Sequence, residues 1–93
     1  MKHYIIVKFK ENYNYKLEVN NIKDLFKKTK NIDGVEDVKI HCSNSIKSNR
    51  FDLMIEMILT YDGLVNFDKS NIHYDWKKIY GEYIESKTIF DCD

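Results

Sequence analysis

Apolar and polar positions alternate from His3 to Lys10. His3, Ile5, Val7 and Phe9 fall on one side and Tyr4, Ile6, Lys8 and Lys10 on the other, the two-residue period of a strand. After a polar loop over 11–15 the period lengthens to that of a helix, running from about Lys16 to Asn31. Leu17, Ile22, Leu25, Phe26 and Thr29 share its inner face, while Lys16, Lys23, Lys27 and Lys30 lie outside. Asn14 is placed to cap this helix, its lysines crowd the turns where the helix dipole favours cations, and Asp33-Gly34 ends it. A second strand spans Val35 to Cys42, with Val38, Ile40 and Cys42 inward and Lys39 and His41 outward. Beyond a polar loop over 43–49, Phe51 to Thr60 carries the strongest strand pattern: Phe51, Leu53, Ile55, Met57 and Leu59 oppose Asp52, Met54, Glu56, Ile58 and Thr60. Asp62 opens a short helical segment through Leu64, Val65 and Phe67. Ser70 or Asn71 caps a further helix in which His73, Trp76, Tyr80 and Tyr83 recur at helical spacing. A closing strand runs from about Lys87 to Cys92, with Thr88, Phe90 and Cys92 opposite Lys87, Ile89 and Asp91.

This order, βαββαβ with the second helix broken in two, predicts an α+β ferredoxin-like sandwich: a four-stranded antiparallel sheet with helices on one face. No linker or repeat interrupts residues 1–93, so a single domain is expected. The usual strand order puts the second and fourth strands at opposite edges, which separates Cys42 from Cys92 too widely for a disulfide. The helices cover one sheet face only. Tyr4, Ile6, Met54, Ile58 and Ile89 populate both faces, and an open apolar face of that size calls for a partner. A homodimer is the expectation.

Composition narrows the function. Fifteen basic and fifteen acidic side chains cancel, so no long-range field draws in nucleic acid or an anionic membrane, and the one arginine, Arg50, argues further against phosphate or guanine contacts. Apolar runs are far too short for a membrane span or a secretory signal, which makes the cytoplasm the default location. The two cysteines form no CxxC pair, so redox and thiolate-metal motifs are absent. The third strand, Arg50 to Met57, lacks the glycine and aromatic spacing of an RNA-recognition motif, and the first loop, Glu11 to Asn14, has no thiols for copper. Gly34, Gly63 and Gly81 stand apart, too isolated for a phosphate-cradling loop.

Several segments resemble one known family. Met1 to Lys10 is similar to the opening strand of the stress-responsive dimeric α/β-barrel (Dabb) domain, and Ile32-Asp33-Gly34-Val35-Glu36-Asp37-Val38 to its helix exit, where a proline usually precedes the glycine. Phe51-Asp52-Leu53 resembles the start of its third strand. The sharpest match is Phe67 through His73, followed by the last helix and Ile89-Phe90-Asp91. The resemblance implies a homodimer whose sheets pack face to face as a barrel, with a small apolar pocket in each subunit between sheet and helices. A polyketide cyclase of this family closes its ring by an aldol reaction with a tyrosine and a histidine six residues apart, and a first-strand histidine lines its pocket. His3 and His73 match those histidines. Phe67 stands in the tyrosine position and Ser70-Asn71 where His-Pro is frequent. The phenol is therefore missing as proton donor or oxyanion partner, which counts against cyclisation of that kind.

His73 is the most informative residue. In the first turn of the last helix, among Trp76 and Tyr80, both the dipole and an apolar surround disfavour imidazolium, so a neutral ring is expected at pH 7. Such a ring accepts a proton from an acidic carbon or polarises a carbonyl; equally, it can fix the start of the helix by a hydrogen bond. His3 converges on it if the Ile5–Val7 face meets the helices. No third ligand joins them at metal-binding spacing, so neither a metal nor a cofactor is expected. His41, beside Lys39 on an edge strand, is expected to be exposed. Ile5, Val7, Ile22, Leu25, Phe26, Phe67, Trp76 and Tyr80 would wall a pocket, or simply fill the core. Tyr4, Tyr13, Tyr15, Tyr61 and Tyr74 read as surface or dimer-contact aromatics. The functions left open are binding of a small, largely apolar molecule with His73 and His3 as polar handles, general-base chemistry by His73 on a carbonyl substrate, and a structural, stress-associated scaffold.

Overall fold

A computed structural model describes residues 1–93. Its elements are β1 (Lys2–Phe9), α1 (Val19–Lys27), β2 (Val35–Cys42), β3 (Leu53–Leu59), α2 (Tyr61–Asp68), α3 (Asn71–Tyr80) and β4 (Ile84–Cys92). The four strands form one antiparallel sheet in the order β2-β3-β1-β4, so the predicted ferredoxin-like topology and its two edges hold. The helices occupy one face. The alternation of β1 and β3 explains this: His3, Ile5, Val7 and Phe9, with Leu53, Ile55, Met57 and Leu59, are all buried under the helix layer. Ile22, Leu25 and Phe26 of α1, Phe67 of α2, and Trp76 and Tyr80 of α3 close the core from above.

Several boundaries differ from the sequence reading. The long helix of 16–31 is an α-helix of nine residues flanked by 3-10 turns at Tyr15–Glu18 and Lys28–Asn31. Leu17 falls in the first turn, where the tighter winding rotates it off the apolar stripe, and it is exposed. Asn14 makes no side-chain cap. Thr29, in the second turn, is fully buried and satisfies its hydroxyl by donating to the Phe26 carbonyl at 2.6 Å. Cys42, expected inward, is exposed, because it ends an edge strand beyond the reach of the helices; it and Cys92 are both free thiols. β4 begins three residues earlier than the pattern suggested.

Tyr13 and Tyr15, expected as surface or dimer-contact aromatics, are half-buried and pack against the core. Tyr15 stacks on Phe9 with centroids 5.2 Å apart, and Tyr13 on Tyr83 at 4.2 Å, joining the loop after β1 to the approach to β4. Ile89 also moves. It pairs with Ile5 and so lies on the helix side, while Phe90 pairs with Tyr4 and takes a place on the open face.

Two glycines treated as isolated meet in space. Gly34 has φ of 91°, a conformation that favours glycine, and its carbonyl accepts the Thr60 amide at 2.8 Å. A Cβ on Gly63 would lie 2.3 Å from that carbonyl oxygen, so the turn before β2 and the start of α2 approach through bare backbone. Thr60 caps α2 there by accepting the Gly63 amide at 3.0 Å.

Candidate functional site

The site lies where the helix layer stops. On the helix side of the sheet, antiparallel pairing sets β4 beside β1 in register: Asp91 against His3, Ile89 against Ile5, Lys87 against Val7. The β1 members of these pairs are buried, but the β4 members are exposed, since α2 and α3 cover the centre of the sheet and not this edge. The uncovered strip leaves a hollow of about 290 Å³ between β1 and β4 below and α2 and α3 above. His3, Ile5, Leu64, His73, Trp76 and Ile89 line it, with Asp68, Lys77, Lys87 and Asp91 among them.

His3 and His73 thus face one cavity from opposite layers. His3 is buried and its Nδ1–H donates to Asp91 Oδ1 at 2.5 Å, an acceptor-only carboxylate that fixes the tautomer. His73 sits at the third position of α3, where Ser70, the N-cap, accepts its amide at 3.2 Å. Its ring Nδ1–H donates to the Asp68 carbonyl at 3.1 Å. Both imidazoles are therefore anchored through Nδ1, and neither Nε2 has a partner in the protein. A neutral ring held this way presents Nε2 as the proton acceptor.

Burial lowers the His73 pKa below the usual imidazole value, and the ammonium groups of Lys77 and Lys87 push the same way against the Asp68 carbonyl and carboxylate. The ring is accordingly neutral at pH 7, with desolvation as the main cause. The Phe67 ring packs against both histidines, its centroid 5.0 Å from His73 and 6.2 Å from His3. It is fully buried and supplies no polar group. No three His, Cys, Asp or Glu side chains converge closely enough to hold a metal ion.

The expected apolar lining divides. Ile5 and Trp76 reach the cavity wall. Val7, Ile22, Phe26 and Phe67 have no exposed surface and are core. Leu25 and Tyr80 border a different, shallow groove beside Glu18 and Ile79. The physical reason is that the apolar stripe of each helix is the part most completely packed; a cavity survives only at its margin. Asp91 is the residue that sequence reasoning missed. It sits opposite His3 once β1 and β4 are paired antiparallel, but its strand neighbours gave no sign of which face it joined.

Two other hollows carry no comparable chemistry. The largest, about 470 Å³, lies at the far end of β1 around Phe9, Tyr13, Tyr15 and the exposed Ile46, and contains no histidine. One of about 170 Å³ opens on the uncovered sheet face beside Ile6, Phe51 and Met54. His41 reaches its rim, exposed as expected and hydrogen-bonded through Nε2 to Glu56 at 2.9 Å.

No protein-family model and no curated protein matches the chain. Solved structures share its fold. A dimeric ferredoxin-like protein of unknown function from Thermobifida fusca superposes with a TM-score of 0.79 at 11% identity, over 96% of this chain and 85% of that one. A Dabb-family protein with a ferredoxin-like fold from Mesorhizobium loti gives 0.73 at 15% identity, over 99% and 93%. The hydroxynitrile lyase of Passiflora edulis gives 0.73 at 15% identity, over 96% and 87%. The class of fold is thereby defined: the chain has the architecture that a Dabb-family protein also has, in agreement with the resemblance of its segments.

Proposed function

We propose that this protein is a cytoplasmic Dabb-type homodimer that binds a small, largely apolar molecule in the cavity between β1, β4, α2 and α3. One observation carries the reading: two imidazoles from opposite layers, each anchored through Nδ1, line one partly apolar hollow. Ile5, Leu64, Trp76 and Ile89 supply the apolar wall, and the two Nε2 atoms orient a polar end of the ligand. Trp76 is the only tryptophan, so its emission reports directly on occupancy. Titration with small aromatic ketones should change that emission saturably, and His73→Ala should weaken binding several-fold; emission unchanged at millimolar ligand would sink the reading.

The dimer is supported by the open sheet face. Tyr4, Ile6, Met54 and Ile58 are only half-buried there and Phe90 is 57% exposed. Light scattering should give twice the 11.2 kDa chain mass, and Ile58→Lys should shift it to the monomer.

A second reading is favoured by the lowered pKa of His73: general-base catalysis on a carbonyl compound or its adduct, in which Nε2 takes or returns a proton. The Passiflora neighbour is a hydroxynitrile lyase, an enzyme on this same fold. Turnover of an aromatic cyanohydrin that vanishes in His73→Ala supports catalysis; turnover retained in that variant removes His73 from it.

A further inference from the structure

We propose that the ligand of this cavity carries a carboxylate, received between Lys77 of α3 and Lys87 of β4. The inference rests on the reading of the cavity as a small-molecule site and names the class of molecule. Four ordinary charges line the hollow: Lys77, Lys87, Asp68 and Asp91. Asp91 is engaged by His3, and Asp68 lies on the exposed last turn of α2. Neither lysine has a carboxylate within ion-pairing distance; the only lysine ion pair in the protein is Lys30–Asp37, at 3.7 Å. Two ammonium groups from opposite layers, neither of them in an ion pair, thus border one hollow.

Their placement gives the ligand a direction. Along β4 the cavity wall runs from Lys87 through Ile89 to Asp91, beside Val7, Ile5 and His3 of β1. A carboxylate at Lys87 and Lys77 sets the apolar body on Ile89, Ile5, Leu64 and Trp76 and carries its far end toward His3. His73 lines the same hollow, so its ring lies within reach of the bound molecule. A hollow of about 290 Å³ limits the body to a ring with a short side chain.

The experiment compares phenylacetate with its neutral isostere phenylacetamide, on the full chain, by Trp76 emission and by chemical-shift mapping. The carboxylate should bind roughly tenfold tighter at low salt, lose most of that preference in strong salt, and lose it in the double variant K77Q/K87Q. Both lysines are exposed, so the variant should fold, which its circular dichroism checks. Equal affinity for the two probes, unchanged in K77Q/K87Q, overturns the anion preference and leaves the cavity as a binding site. Failure of both probes to perturb cavity residues overturns the cavity reading and the preference with it.

Discussion

The inner strands and the β4 edge carry similar alternation and meet opposite fates. In β1 and β3 every helix-facing side chain is buried, whereas Lys87, Ile89 and Asp91, in the same rows of the sheet, are exposed. What differs is cover. The helices lie over β1 and β3, and at β4 the sheet extends past them. Packing under the helices leaves no room for a ligand; the uncovered edge leaves a hollow whose floor still offers apolar side chains and whose rim can hold charge. A chain this small gains stability where the layers close and has room for a binding site where they part.

The contrast is sharpest in stability. Phe67→Ala, which empties the space against Phe26, His3 and His73, should cost about 3–5 kcal/mol in urea unfolding, while Ile89→Ala should cost under about 1 kcal/mol. Comparable losses would erase the distinction between core and edge. Next in size is Gly63→Ala: its Cβ would meet the Gly34 carbonyl oxygen at 2.3 Å, and a loss of roughly 1–3 kcal/mol is expected from the forced separation of α2 and β2. An unchanged midpoint would show that the two segments separate freely.

Asp91→Ala should cost about 1 kcal/mol, because the carboxylate that holds His3 is itself 43% exposed. The clearer readout is the His3 ring: its Nδ1 proton should lose hydrogen-exchange protection in the variant, and equal protection would detach the pair. Titration supplies the remaining tests. His73 is lowered from 6.5, so the unfolded chain takes up its proton first as pH falls; the contribution to stability is intact above 6.5 and declines below it, toward the folded value. The His73 ring resonance should therefore titrate with a midpoint below 6.5; a midpoint at 6.5 would place the ring in solvent, and one above it beside net negative charge. At the other extreme, burial and the nearby Glu18 push Tyr80 up to about 12 from 10.0. Its contribution is full below pH 10 and lost as pH rises toward 12, and Tyr80→Phe should flatten that alkaline slope in unfolding measurements.

The sequence showed most clearly what lies under the helices. Alternation at His3–Phe9 and Leu53–Leu59 and the stripe of Ile22, Leu25 and Phe26 record burial directly, since each buried position must be apolar or satisfied. Periodicity failed where local winding changed, as at Leu17 in its 3-10 turn, and where an edge strand outran its cover, as at Cys42. His3 and His73 stood out by chemistry, and the fold brings both to one cavity. Asp91, Lys77 and Lys87 did not stand out, because an exposed charge near the end of a strand or helix reads as solvation until pairing shows which residue it faces. The contact between Gly34 and Gly63 was invisible for the same reason: it joins segments that only the tertiary fold brings together.

Amide chemical-shift mapping of the ¹⁵N-labelled protein against a panel of small aromatic carboxylates and ketones tests the central claim most directly. Shifts gathered on Ile5, Leu64, His73, Trp76 and Ile89 are the result predicted here. Shifts gathered instead around Phe9, Tyr13 and Tyr15, or on Ile6 and Met54 of the open face, would contradict it and move the functional site elsewhere in the molecule.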